Sequence, residues 1–258
     1  MKAKVALVTG AGSGIGAAAG RRLAKDGARV GLLSRTGSEL TALADEIGEG
    51  GGEALVLEAD ISDAQALGKA VDRLVEQFGR LDVVVANAGV NGTWAPIEEL
   101  GFEEFRKTVN INLFGTFATI KLAVPHLRKQ GGAVVVTSSV NGTRMFSNSG
   151  ATAYAATKAA QVAMARMLAL ELAKYRIRVN TICPGAIRTE IGENTRSEGV
   201  EGAREPVVYP EGEIPLTDGK PGDSRQVADL IAFLVSDSAS HITGTEVFID
   251  GGQSLLQG

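Results

Sequence analysis

The sequence predicts an α/β fold: one doubly wound domain built on a seven-stranded, mainly parallel sheet with helices on both faces. Three observations carry this. Short β-branched runs alternate with helical stretches along the whole chain, an order that right-handed βαβ crossovers produce. Runs such as Val83-Val84-Val85 are apolar without alternation, as in strands buried on both faces. Glycine is abundant, 33 of 258 residues against a usual share of about 7%, and it falls mainly at element ends, where tight turns need it.

Strands are expected near 4–9, 28–34, 53–58, 81–86, 133–138, 177–183 and 245–249. Helices are expected near 14–26, 38–48, 63–78, 102–129, 152–174 and 224–236. One segment breaks the rhythm. From 190 to 223 the chain is rich in Gly, Pro and Glu, with Val207, Val208, Tyr209 and Ile214 as its few large apolar groups. A connection that long inside a compact domain serves as a substrate lid or is a solvated insertion; the lid is the reading adopted. There is no repeat and no linker between two cores, so 1–258 is taken as a single domain.

Composition excludes several classes. A formal charge of −4 with no basic cluster argues against nucleic acid as a partner. Met1-Lys2-Ala3-Lys4 leads directly into Val5-Ala6-Leu7-Val8, too short a run for a signal-peptide core or a membrane span. One cysteine, Cys183, rules out an internal disulfide and a cysteine-rich metal site, which makes a reducing cytoplasm the default compartment. His126 and His241 lack ligand-like spacing, so neither a metal centre nor a Ser-His-Asp hydrolase is expected.

Chemistry is concentrated in Ser138 to Lys158. A buried strand end, Ala133 to Ser139, leads through a polar loop into an alanine-rich helix carrying Tyr154 and Lys158. Residues four apart on a helix share a face, with Cβ atoms roughly 5–6 Å apart. The Lys158 ammonium can then favour the Tyr154 phenolate and lower its pKa from about 10 toward the range useful for proton transfer. The pair alone is a weak signal, because a core tyrosine beside a solvated lysine gives the same pattern.

A second signal is Thr9-Gly10-Ala11-Gly12-Ser13-Gly14-Ile15-Gly16, which follows the first strand and opens a helix. Glycines there let the backbone approach a pyrophosphate, and the helix N-terminus offers free N–H donors. Ile15 stands where the commonest dinucleotide fingerprint has its third glycine, so the spacing is a different one. At the end of the second strand the chain reads Leu33-Ser34-Arg35-Thr36, with no acid. An arginine there accommodates a 2′-phosphate, by a charge-assisted hydrogen bond worth about 1.5–3 kcal/mol. NADP(H) is therefore expected in preference to NAD(H).

Together these residues resemble the short-chain dehydrogenase/reductase family over nearly the whole chain. Gly10, Ser13, Gly14, Ile15 and Gly16 lie in its glycine motif, Asp60-Ile61 matches its adenine-contacting pair, and Asn87-Ala88-Gly89 matches its Asn-Ala-Gly turn. Asn112, Ser139, Tyr154 and Lys158 match its catalytic set, and Pro184-Gly185 with Ile187 and Thr189 matches the turn that meets the nicotinamide. Ser34 and Arg35 complete the expected cofactor contacts. Ala86 departs from the family, which often has asparagine there, and the slightly long Ser139-to-Tyr154 interval makes Ser138 the weaker rival of Ser139.

The resemblance implies a Rossmann-type oxidoreductase moving a hydride between nicotinamide and a carbonyl or secondary alcohol, a 3-oxoacyl thioester by family base rates. In that pattern Ser139 positions the substrate oxygen and Tyr154 exchanges its proton. Lys158 binds the nicotinamide ribose, and Asn112 holds a water linking Lys158 to solvent. Asn110 replaces Asn112 if the register is off by two, and the structural alternative is an Asn112 satisfied by backbone. Asp60 could instead belong to the N-terminal cap region of the third helix, and Trp94 was kept out of the site. The alternatives are an NAD-dependent dehydrogenase of a sugar or steroid alcohol and, more remotely, a non-catalytic nucleotide-binding regulatory protein. The closing strand, 244–252, resembles the family's subunit-contact edge, and the 152–174 helix is apolar on more than one face. A homotetramer is expected, with a dimer as the fallback.

Overall fold

The computed structural model describes residues 1–189, 195–203 and 214–256. Seven strands, β1 (Val5–Thr9), β2 (Arg29–Ser34), β3 (Glu53–Glu58), β4 (Val83–Ala86), β5 (Gly132–Thr137), β6 (Ile177–Pro184) and β7 (Glu246–Ile249), form one sheet. Their order is β7-β6-β5-β4-β1-β2-β3, and every neighbouring pair is parallel. The chain fills one side of β1 first and then crosses to the other. The carboxyl ends of β1 and β4 therefore border the crevice where open parallel sheets take their ligands.

Residue alternation on β1 assigns its two faces. Val5 and Leu7 pack into one core, and Ala6 and Val8 into the other. The first core is covered by α3 (Ala64–Phe78), α5 (Gly115–Leu127) and α6 (Thr152–Ala173). The second is covered by α1 (Gly14–Lys25), α2 (Gly37–Glu49) and α7 (Ser224–Val235). Small residues bring α1 close to the sheet: a Cβ on Gly20 would lie 2.8 Å from the Leu32 side chain. Helix α3 starts at Asp63, whose carboxylate accepts from the Gln65 and Ala66 amides, and stops at Gly79 with φ +79°. Asp63 is thus the cap itself, and Asp60 lies three residues ahead of it, its carbonyl accepting from the Asp63 amide at 3.0 Å.

The single helix expected over 102–129 is more divided than its periodicity suggested. Helix α4 (Phe102–Val109) passes into a π turn, Asn110–Phe114, before α5 begins. The Gly115 amide reaches back five residues to the Asn110 carbonyl, which shifts the following residues in register. Such turns are rare and frequent at functional sites. Asn112 lies at its centre, completely buried.

The 190–223 segment is partly described. Val207, Val208, Tyr209 and Arg204 lie outside the described residues. The flanks of the segment meet, because Ile187–Arg188 pairs in parallel with Gly222–Asp223. A second short ladder joins Thr93–Trp94 to Arg196–Ser197. The returning chain is anchored by Ile214, buried against Gly251, and by the Leu216 amide donating to the Gly251 carbonyl at 3.0 Å.

Candidate active site

Two turns at the carboxyl end of the sheet are locked together by Thr9. Its hydroxyl accepts from the Asn87 and Ala88 amides, at 3.0 and 3.1 Å, and donates to the Val85 carbonyl at 3.3 Å. The Asn87 amide group donates back to the Thr9 carbonyl at 3.1 Å. Glycine is required where these turns touch. Gly10 has φ +66°, and a Cβ on it would lie 2.9 Å from the Ala88 Cα. A Cβ on Gly16 would run into the Gly10 carbonyl. Ser13, the residue before α1, leaves the helix-end amides without a side-chain cap, as a phosphate-binding helix N-terminus needs.

A cavity of about 550 Å³ opens beside this junction. Gly10, Ser13, Gly14, Ile15, Asn87, Ala88 and Gly89 line one side, and Pro184, Gly185, Ile187 and Thr189 line another. Ser139, Tyr154 and Lys158 are set into its wall. A second cavity, about 270 Å³, continues over the end of β2 and is lined by Ser34, Arg35, Asp60 and Ile61. Gly16 lines neither cavity; it serves the close approach of α1. Asp60 accepts from the Ser62 amide and hydroxyl, at 2.8 and 2.7 Å. Burial acts to raise the Asp60 pKa, but the Ser62 hydrogen bonds and the Arg35 charge outweigh it and leave the carboxyl below its ordinary value.

The two adjacent serines are separated by direction. The Ser138 hydroxyl donates to the Lys158 carbonyl at 2.8 Å and ties β5 to α6. Ser139 lines the cavity beside Tyr154, where it acts to lower the phenol pKa, and accepts from the Asn141 amide at 3.1 Å. Ser139, not Ser138, is thus the serine that faces the phenol.

The electrostatics differ from the expected lowering of the phenol pKa. Burial pushes Tyr154 above its ordinary value, and the Ser139 hydrogen bond offsets that only in part. Lys158 points its ammonium at the Thr137 carbonyl, 2.8 Å away, with its Nζ 5.5 Å from the Tyr154 ring centroid. Burial lowers the Lys158 pKa to about 8.

The π turn fixes Asn112. Its side-chain oxygen accepts from the Val90 amide at 2.8 Å, and its side-chain nitrogen donates to the Val90 carbonyl and the Thr157 hydroxyl, at 2.8 and 3.1 Å. Its backbone carbonyl receives the Thr116 hydroxyl and the Gln161 amide, both at 2.7 Å. Asn112 is therefore satisfied largely by backbone and holds the loop after Gly89. A Cβ on Gly89 would lie 3.1 Å from Asn112 Oδ1 and 3.6 Å from Lys158 Nζ, so glycine keeps a small gap between the two groups. Asn110 does not line either cavity.

Two further residues belong to the site. Trp94 lines the larger cavity with its ring centroid 6.5 Å from that of Tyr154; its position after the Asn-Ala-Gly turn was the available signal. Glu39, from the first turn of α2, enters the smaller cavity, and nothing in the strand-end sequence pointed to it. Among the described residues there is no cluster of metal-ligating side chains, and no helix is long and apolar enough to cross a membrane.

The family profile described as enoyl-(acyl carrier protein) reductase matches residues 10–254. The chain belongs to the short-chain dehydrogenase/reductase family. It is an oxidoreductase of that type, acting between alcohols and carbonyls, in a family that binds NAD(H) or NADP(H). A crystal structure of a 3-ketoacyl-ACP reductase from Sinorhizobium meliloti 1021 is 55% identical with a TM-score of 0.94, covering 98% of this chain and 99% of that one. A 3-ketoacyl-(acyl-carrier-protein) reductase from Brucella melitensis, complexed with NADH, is 32% identical with a TM-score of 0.86, covering 98% and 99%. Levodione reductase of Leifsonia aquatica is 39% identical, covering 97% of this chain and 94% of its own.

The features of this short-chain dehydrogenase/reductase fit a nicotinamide dinucleotide. The glycine cradle would be filled by any Cβ, and the buried Thr137 hydroxyl on the cavity wall has no hydrogen-bond partner. The buried lysine has a measurable consequence. Its folded pKa lies below the unfolded value of 10.5, so between about pH 8 and 10.5 the unfolded chain binds more protons and stability rises with pH. Below pH 8 the burial penalty, about 3 kcal/mol, is fully present. Denaturant midpoints of wild type and Lys158→Met should therefore shift in favour of wild type as pH rises through this window. A pH-independent difference would rule out a lysine titrating there.

Proposed function

We propose that the chain is an NADP(H)-dependent carbonyl reductase, and in reverse an alcohol dehydrogenase. It would work as one domain, 1–258, with the 190–223 segment as its lid. The observation that carries this reading is the cluster of Ser139, Tyr154 and Lys158 set into the wall of the larger cavity, opposite the glycine turn. A nicotinamide dinucleotide bound there would supply or take up the hydride. Asn87 to Gly89, Pro184, Gly185, Ile187, Thr189 and Lys158 would hold its nicotinamide half, with Gly10 and Ser13 to Gly16 at the pyrophosphate. Asp60, Ile61, Ser34 and Arg35 would hold the adenosine half.

In reduction, Tyr154 gives its phenolic proton to the carbonyl oxygen while the Ser139 hydroxyl holds that oxygen in place. A phenol kept protonated by burial is suited to act as general acid in that direction. Lys158 passes the replacement proton, with the gap under Gly89 giving a water room between its ammonium and Asn112. Support for a 3-oxoacyl thioester comes from the likeness to the Sinorhizobium meliloti reductase. A second reading, NAD-linked oxidation of a cyclic alcohol such as a sugar or steroid, draws on the Trp94 ring beside Tyr154, a flat wall for a ring. A cytoplasmic setting is supported by cysteine usage, a single cysteine, Cys183, that is free and buried.

A homotetramer is proposed on the apolar surface left open by α6 and α4, where Met167, Leu170 and Phe102 are 72%, 81% and 88% exposed. Light scattering at micromolar concentration should return the mass of four copies; a monomer there would refute the assembly.

Replacing Tyr154 by Phe should lower turnover by at least about a hundredfold while NADPH binds within about twofold of wild type. Activity is to be assayed against acyl thioesters, diketones and sugars, and turnover retained with any of them would remove the tyrosine from the mechanism. For the cofactor, wild type should show the higher kcat/KM with NADPH, and Arg35→Ala should lose about ten- to hundredfold of it. A better kcat/KM with NADH, or an unchanged variant, overturns the preference.

A further inference from the structure

The smaller cavity contains a carboxylate that the strand-end sequence did not announce. Glu39 sits in the first turn of α2, where the helix dipole favours an acid. Its carboxylate folds back over the glycine turn, so that a Cβ added to Gly12 would run into it. The same added Cβ would lie 3.2 Å from the Ser34 hydroxyl. Glu39 and Ser34 thus converge above Gly12, at the end of β2 and beside Arg35, in one cavity about 270 Å³ in volume.

The charges around this point are unbalanced. Arg35 is the cation lining the cavity, and its field reaches Asp60 on the other wall. Against it stand Glu39 and Asp60, with Glu58 next to them, its carboxylate lying against Gly37 at the start of α2. A 2′-phosphate brings close to two negative charges, which Arg35 attracts and Glu39 repels. A ribose 2′-hydroxyl is a neutral donor, and a carboxylate accepts hydrogen bonds only. The same carboxylate therefore acts in opposite senses on the two cofactors.

We propose that Glu39 is a second specificity residue of the dinucleotide site: it accepts the ribose 2′-hydroxyl of NAD(H), repels the 2′-phosphate of NADP(H), and so limits the preference that Arg35 sets. This rests on the reading that the cavity takes the adenosine ribose of a nicotinamide dinucleotide. Glu39 is exposed, so water screens its charge and the effect is a bounded one, about tenfold on a phosphate a few ångströms away. The consequence is a protein that uses NADP(H) better but retains NAD(H) as a working cofactor.

Calorimetric titration of the full chain tests this by binding rather than turnover, with NADP⁺, NAD⁺, adenosine 2′,5′-bisphosphate and AMP as ligands. Glu39→Gln, an exposed substitution of the same shape, should tighten NADP⁺ and adenosine 2′,5′-bisphosphate by about tenfold. It should weaken NAD⁺ and AMP alike, by about two- to fivefold, because both carry the free ribose 2′-hydroxyl. Gains for the 2′-phosphorylated pair should shrink as salt is raised. If wild type binds the dinucleotides and Glu39→Gln leaves the NADP⁺ to NAD⁺ affinity ratio unchanged, the role of Glu39 is overturned while the dinucleotide site stands. If wild type binds none of the four, the dinucleotide reading itself fails and this inference with it.

Discussion

A hydroxyl group holds this molecule's two halves in register. Thr9 ends β1, and its oxygen is shared between two amides of the Asn87-Ala88 turn and the carbonyl that precedes it on β4. Three hydrogen bonds saturate the group, so the turns after β1 and β4 cannot slide past each other without leaving buried polar atoms unpaired, each at a cost of about 1–3 kcal/mol. Gly10 and Gly16 are glycines because the junction is this tight. The walls of both cavities are built outward from it.

The surroundings of Tyr154 and Lys158 show a different economy, in which burial outweighs attraction. A lysine one helical turn from a tyrosine suggests an ion-assisted phenolate, yet here both groups are enclosed and burial moves each toward its neutral form. The ammonium is engaged by a backbone carbonyl at the end of β5, and the phenol by Ser139. The pair is thus better described as a neutral phenol beside a lysine of lowered pKa than as a fixed cation beside an anion.

Much of this was legible in the chain itself. Uninterrupted valine runs identified buried strands, and β-branched segments spaced by amphipathic stretches predicted the parallel order, because a crossover of that length admits few other topologies. Ser139, Tyr154, Lys158 and the Asn87 to Gly89 turn could be picked out since their spacing survives as geometry. Other features were hidden for physical reasons. The π turn at Asn110–Phe114 shifts a helix by one residue and leaves its apolar periodicity almost unchanged. Glu39 looked like an ordinary acid at a helix start, and only the path of α2 over Gly12 brings it to the ligand side. The direction of the Tyr154 shift depends on how completely the ring is enclosed, which spacing does not report. The choice between Ser138 and Ser139 was decided by which way each points, a matter of one step along a strand whose side chains alternate.

The strand order has a further meaning for how such a protein changes over time. Arg35, Glu39 and Asp60, which line the smaller cavity, all come from the segment before β4, whereas Ser139, Tyr154 and Lys158, which line the larger one, come from the segment after it. Between the two, the sheet is continuous through the β1–β4 pairing alone. Substitutions on the walls of one cavity therefore need not disturb the walls of the other so long as the Thr9 seam is kept.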